Sequence, residues 1–326
     1  MPLRDCHIEP HLRAELRLLS LRSYKADGLL LLAAFIWGFA FVAQRSVMAV
    51  IGPFAYSGVR FALGTLALVP FWLYTRHRTR RTEQPRLPRG KKALWVLAAG
   101  AVLYCGVSLQ QLGLVQTTAS NAGFITCFYV VLVPIAGFFV GRPTGWRVWL
   151  GAVLAMVGLY VLSVGGSFSM NPGDVLELLG AFVWTAHILI INRLASRLDA
   201  LEIAVGQFAV CAVLSLITAV AVEPSPFAGV QAAALPILYG GLLSISIAFT
   251  LQIVAQKTAH PAPAAIIMSM EALFAGIGGV LVLGEPLTLR LVIGGLTMLA
   301  GMIVSQLQPA VQSSAVQPAA SPVDRP

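Results

Sequence analysis

The chain reads as a series of long apolar runs separated by short polar joints. Ten runs can be delimited, at 28–46, 54–74, 93–115, 119–140, 146–165, 174–194, 200–222, 233–255, 261–283 and 287–307. Each is close to the ~20 residues that an α-helix needs to cross the hydrocarbon core of a bilayer. A lipid-embedded backbone has no water to bond, so such a run must be helical. The roughly ten-residue alternation of an outer-membrane barrel strand is not seen. The expected fold is therefore an all-α integral membrane protein with ten transmembrane helices. The joints are short except for a basic segment at 75–92. The polar, basic stretch 1–27 is expected to be a cytoplasmic tail rather than a cleaved leader. Residues 308–326, rich in Pro, Ser, Ala and Gln, are expected to form a disordered cytoplasmic tail.

The pattern also repeats. Asp27 and Trp37 recur as Asp174 and Trp184, with Ala34-Phe35-Ile36 matching Ala181-Phe182-Val183 just before each Trp. Arg60-Phe61-Ala62 faces Gln207-Phe208-Ala209, and Leu109-Gln110 faces Leu251-Gln252. Gly141, Pro143, Arg147 and Gly151 reappear in order as Gly284, Pro286, Arg290 and Gly294. The halves, 28–165 and 174–307, hold five runs each. Because five is odd, the second half enters the membrane from the opposite side, which makes the two repeats inverted. Inverted repeats place a binding site near the midplane, between the halves, and work by rocking one element against another.

Composition supports a membrane protein and redirects the meaning of the charge. Only 11% of residues are charged and 58% are hydrophobic, whereas a soluble domain carries about 25% charged residues. A net charge of +9 on such a chain is a topology signal rather than a nucleic-acid footprint. Nineteen of the 22 Lys and Arg fall on one side if both termini are cytoplasmic: five before the first run, eight in the 75–92 segment, five in later joints and one in the tail. Arg45 and Arg290 fall on the other side, and Arg60 lies inside a run. Cys105, Cys127 and Cys211 sit inside apolar runs and Cys6 near the start, with no paired or metal-ligand spacing. No HExxH, GxSxG or phosphate-binding GxxxxGK[ST] signature occurs. The chain is thus expected not to be an enzyme, to need no cofactor or metal, and to have as partners the bilayer, a small-molecule substrate and a second copy of itself.

These runs contain a set of motifs that resembles the EamA-type members of the drug/metabolite transporter superfamily. The set comprises Leu32-Ala33-Ala34-Phe35-Ile36-Trp37-Gly38, Val59-Arg60-Phe61, Thr118 to Ile125, and Tyr129-Val130-Val131-Leu132-Val133-Pro134. It continues with Ser269-Met270-Glu271-Ala272-Leu273-Phe274 and Leu283-Gly284-Glu285-Pro286-Leu287-Thr288. The resemblance covers roughly 28–307 and implies ten helices, cytoplasmic termini and small-molecule transport, often export. Two positions depart from it: Ala272 stands where Pro commonly follows the span-nine Glu, removing the expected source of a kink, and the first half ends Gly141-Arg142 in place of Gly-Glu.

Residues able to carry transport are few. Glu271 is the sharpest candidate, a carboxyl near the middle of the ninth run, where an ionised group must face protein or water. It either binds a cationic group or carries a proton, or it is a hydrogen-bonded strut; its position in the other half, at an offset of 143, is Phe128. Arg60 either draws an anionic substrate or pairs with Glu271, or is structural. Trp37 and Trp184 are expected to wall the cavity from symmetry-related sides, or to pack in the core. Tyr104, Gln110, Asn121, Tyr129 and Gln252 are the remaining polar groups at cavity depth; Gln110 and Gln252 could instead orient helix ends. His187 is expected to be structural. Gly151 and Gly158, repeated as Gly294 and Gly301, read as close helix–helix contacts or a dimer face. A secondary transporter that exports a small metabolite, such as an amino acid or amine, by alternating access across the inner membrane is the leading function; a non-transporting scaffold or receptor-like protein is the alternative.

Overall fold

The computed structural model describes residues 10–78, 88–117, 119–141, 144–163, 172–283 and 287–307. The tail expected to be disordered and the tip of the basic segment lie outside the described residues. Within them the chain is helical and contains no strand. Spans one to three are Pro10–Val47, Pro53–Arg78 and Arg89–Gln116; span four is split into Ala119–Thr126 and Tyr129–Phe139; span five is Trp146–Ser163. Spans six and seven are Pro172–Ala195 and Ala200–Val222. Span eight runs through Ala234–Leu238, a π-helical stretch Tyr239–Phe249 and Thr250–Ala255; span nine is split into Pro261–Met268 and Glu271–Leu283; span ten is Leu289–Gln306. Nine of these are long and apolar enough to cross a membrane, and Trp146–Val161 is a shorter apolar helix that completes the ten.

The ends are set by local chemistry. Pro53 and Pro261 open spans two and nine, a position where the missing N–H costs nothing. Asp199 accepts from the Leu201 amide at 2.9 Å and Thr288 from the Leu291 amide at 3.2 Å, capping spans seven and ten. Span two is capped from a distance: the Glu223 carboxylate accepts from the amides of Phe54 (2.8 Å) and Ala55 (3.1 Å), placing a negative charge at the positive end of the helix.

The packing obeys a two-fold relation between halves. Span two packs on seven and five on ten; the pairing of three with six is matched by that of one with eight, and that of four with six by that of one with nine. At the five–ten contact the backbones nearly touch. A Cβ on Gly158 would lie 2.6 Å from the Gly294 carbonyl oxygen, and one on Gly151 would lie 2.6 Å from that of Gly301. These glycines are therefore used inside one chain, and the dimer face they suggested is occupied by the protein itself.

Two breaks matter for function. Span four is interrupted at 127–128 and span nine at 269–270. The span-nine break occurs although no Pro follows Glu271. Instead, the Ser269 hydroxyl bonds back to the Ile266 carbonyl (2.8 Å), while the Cys127 thiol faces the Ser269 carbonyl at 3.8 Å. The breaks lie 142 residues apart, so the true counterpart of Glu271 is Tyr129 and not Phe128. An offset of 143 holds for the glycines of spans five and ten but slips by one at the breaks.

Candidate functional site

A cavity lies where the broken spans meet, between the two repeats. It provides about 60 Å³ of room for water centres, enough for roughly four waters. Both halves line it: Trp37, Gln44, Arg60 and Gln110 with Thr126 and Tyr129 from the first, and Trp184, Ser244, Phe249, Gln252 and Glu271 from the second. Discontinuous helices suit such a site, because their interrupted ends present free backbone groups within the membrane.

Glu271 begins the second half of span nine and is 7% exposed. Its Oε1 accepts from the Tyr129 hydroxyl at 3.0 Å, and the Cys127 thiol stands 3.6 Å away. The two repeat-related residues thus bond to each other across the pseudo-two-fold. Gly38 seats this segment, since a Cβ there would fall 2.7 Å from the Glu271 carbonyl oxygen. Arg60, 4% exposed, lies over the rings of Tyr56 (5.0 Å) and Phe61 (5.4 Å). Its Nε has no hydrogen-bond partner, and no ion pair to it is found among the described residues. Arg60 and Glu271 therefore share a cavity without pairing.

The walls are aromatic. Phe249 sits between the two tryptophans, edge-on to Trp37 at 4.8 Å and stacked with Trp184 at 6.3 Å. Trp37 donates its indole N–H to the Ser244 carbonyl at 3.3 Å, whereas the Trp184 N–H has no partner. Ser244 and Phe249 belong to the π-helical stretch, whose wide turn is pressed against span two. Gly240 and Gly241 permit this approach: a Cβ on Gly241 would lie 2.7 Å from the Leu63 side chain. Ser246 bridges the widened ladder, donating to the carbonyls of Gly241 (2.9 Å) and Gly64 (3.1 Å).

Other sequence candidates divide. Gln110 and Gln252, each within a turn or two of the end of its span, are both buried and line the cavity. Gln110 donates to Gln44 at 3.5 Å, and the Gln252 Oε1 is unpartnered. Tyr104 is a correction. It does not line the cavity but turns to span seven, where its hydroxyl meets that of Thr218 at 2.7 Å. The Asn121 side chain lies outside the described residues. His187 is fully buried beside the cavity wall, 3.0 Å from the Gln207 carboxamide oxygen. No cluster able to hold a metal ion is present among the described residues.

Sequence reading missed a second buried acid. Glu177, 0% exposed, accepts from the Thr126 hydroxyl at 2.7 Å; Asp174, 2% exposed, accepts from the Thr117 hydroxyl at 2.5 Å. Glu177 satisfies the criterion that selected Glu271, a carboxyl within an apolar run. It lies near the start of span six, three residues after Asp174. Ser244 and Phe249 carried no sequence signal, because only the π turn directs them inward.

The chain resembles proteins of known name. A transporter of Archaeoglobus fulgidus without assigned substrate is 31% identical over 87% of this chain and 86% of its own length. The threonine/homoserine exporter RhtA of Salmonella typhimurium is 27% identical over 75% of this chain and 78% of its own. A solved crystal structure superposes with a TM-score of 0.71 at 20% identity, covering 86% of this chain and 96% of that one; it supports the fold alone. The EamA-like transporter family matches residues 24–164 and again 171–306, once for each five-helix repeat. The chain belongs to the EamA-like transporter family.

Proposed function

We propose that the protein is a secondary transporter that exports a small amino acid by alternating access across the cell membrane, with both termini in the cytoplasm. The observation that carries this reading is a cavity between the repeats that holds one carboxyl, Glu271, and one unpaired guanidinium, Arg60. A zwitterion answers both: its ammonium meets Glu271 and its carboxylate meets Arg60 in a bidentate bond. The aromatic wall of Trp37, Phe249 and Trp184 takes the side chain, and the free N–H of Trp184 and the Gln252 carboxamide oxygen supply further polar contacts. The space present holds a few waters only, so loading and release need the halves to rock apart at the breaks. The Salmonella relative named as a threonine/homoserine exporter agrees with this substrate class and direction.

Purified protein in liposomes is expected to take up radiolabelled L-threonine, with other small neutral amino acids competing. An amine lacking the carboxylate, or an acid lacking the amine, should compete at least about tenfold more weakly, the worth of one charge-assisted hydrogen bond. Arg60→Gln should erase the discrimination against the amine. Equal competition by all three compounds would reject zwitterion recognition, and no uptake of any panel member would favour a non-transporting scaffold or receptor.

Orientation has its own check. Reporters fused within 75–92 and after residue 307 are expected to give cytoplasmic signals, and one within 166–172 an exterior signal. An exterior signal from the chain end would reject the arrangement, since ten crossings return it to the starting side.

A further inference from the structure

Glu177 lies behind the cavity wall, with Thr126 between them. The Thr126 side chain lines the cavity and donates to the Glu177 Oε2 at 2.7 Å. The other carboxyl oxygen, Oε1, has no hydrogen-bond partner although the residue is 0% exposed. An ionised Glu177 is therefore a charge held by a single hydroxyl, and one bound proton removes that charge. The seat is made for it: a Cβ on Gly113 would fall 2.5 Å from Oε1 and 2.9 Å from the carboxyl carbon. That close fit leaves no room around Oε1 for the six or so oxygen ligands that a hard cation gathers.

A second acid lies behind Glu177 on the same helix. Asp174 precedes Glu177 by three residues on span six, so the two share a helix face about 4.5 Å apart along the axis. Asp174 is held by Thr117, at the joint between spans three and four. Two acids, each bonded by a threonine hydroxyl, thus lie between that joint and the cavity: Thr117 with Asp174, and Glu177 with Thr126.

We infer that Glu177 is a second proton-exchanging carboxyl of the transporter, connected to the cavity through the Thr126 hydroxyl, with Asp174 one turn behind it on the same helix face. In the relay, the Thr126 hydroxyl turns from Glu177 to the cavity, passes its proton to a cavity water and takes the proton of protonated Glu177, so Thr126 is unchanged, the water becomes hydronium and Glu177 is left ionised. The reverse transfer from a cavity hydronium restores it. The inference rests on the transport reading for its purpose, but the exchange itself needs no substrate.

The surroundings contain few competing charges. Gly113 of span three, Thr117 at the joint after it and Thr126 of span four are not titratable; Cys127 and Tyr129 of span four are turned to Glu271. The Arg45 guanidinium approaches from span one but bonds the Leu114 carbonyl at 3.2 Å. On span seven, Glu202 is paired with Lys92 of span three, and His187 sits deeper in span six against Gln207. The segments Thr250–Ala255 and Pro261–Met268, which also pack on span six, carry no titratable side chain.

The test is infrared difference spectroscopy of the full chain in lipid, with pH stepped in the absence of substrate. A protonated-carboxyl band should appear and vanish reversibly with pH and be lost in Glu177→Gln. Thr126→Val should displace its midpoint by about 1 to 2 pH units, the worth of one hydrogen bond to a charged group, and Thr126→Ser should restore it. Gly113→Ala, which pushes only on the end of the Glu177 side chain, should also displace it. A Glu177→Gln spectrum that keeps every titrating band of the wild type overturns the inference, as does a midpoint that ignores both Thr126→Val and Gly113→Ala. Failure of the export reading would leave these spectra unaltered, and Glu271→Gln removes a different band.

Discussion

Glu271→Gln is expected to abolish pH-gradient-driven accumulation in liposomes while the protein still inserts and purifies as a folded monodisperse species. The glutamine retains an oxygen to accept from the Tyr129 hydroxyl, now 3.0 Å from Oε1, so the join between the two broken spans survives. What it cannot do is carry a charge or exchange a proton. Losing a charge-assisted bond to a substrate ammonium weakens binding by about tenfold or more. Losing proton exchange removes accumulation altogether and leaves at most downhill exchange. Counterflow measured beside gradient-driven uptake separates the two: retained counterflow assigns coupling to Glu271, and lost counterflow assigns binding. Wild-type accumulation by the Gln variant, with misfolding of Glu271→Leu, would mean that the residue is a hydrogen-bonded strut. Tyr129→Phe is the companion measurement, because it removes the bond and keeps the carboxyl.

Gly158→Leu is expected to produce the largest loss of folded protein. The Cβ alone would stand 2.6 Å from the Gly294 carbonyl oxygen and 2.7 Å from the Met298 amide nitrogen. Both are backbone atoms that cannot move without separating spans five and ten. Overpacking a core typically costs about 1–3 kcal/mol, and here a long side chain is added at a contact that holds the ends of both repeats together. In lipid, tight packing itself drives helix association, so a lost close approach is not replaced by a hydrophobic gain. Thermal unfolding followed by fluorescence-detected size exclusion should show aggregation or a sharply lowered melting temperature. Gly28→Ala is the control. Nothing lies within 4 Å of a Cβ there, and Ala is about 0.5–1 kcal/mol more favourable than Gly inside a helix. Equal behaviour of the two variants would show that the five–ten contact contributes little to the fold.

The two results probe different parts of the same design. The glycine seam fixes spans five and ten together, away from the cavity, while the breaks in spans four and nine leave the centre interrupted.

Much of the architecture was legible in the residues alone. Ten apolar runs of bilayer length, with Lys and Arg segregated between them, determine helices and crossings, because lipid leaves the backbone no other way to satisfy its hydrogen bonds. Trp37 with Trp184, and the spaced glycines, made the duplication visible at the level of single residues. Glu271 stood out because a carboxyl in hydrocarbon is too costly to be incidental.

The tertiary structure decided the rest. Hydrophobic pattern says that a residue lies in a membrane helix but not which face it turns to a neighbour. It could not bring Gln110 and Gln252 to the cavity while sending Tyr104 to Thr218. Nor could it show that the breaks align Glu271 with Tyr129, since the duplication drifts by one residue between the breaks and the glycine seam. The π turn that exposes Ser244 and Phe249 arises from glycines pressed against span two, a contact between residues nearly two hundred positions apart. The surroundings of Glu177, with Thr126, Gly113 and the cavity wall about its carboxyl, come from separate segments that only the fold brings together. Sequence by itself determined how many times this chain crosses the membrane and that the crossings come as two inverted copies of one five-helix pattern. Which side chains meet at the centre was decided by packing, because that depends on helix rotation and on single-residue shifts in register that apolar composition does not encode.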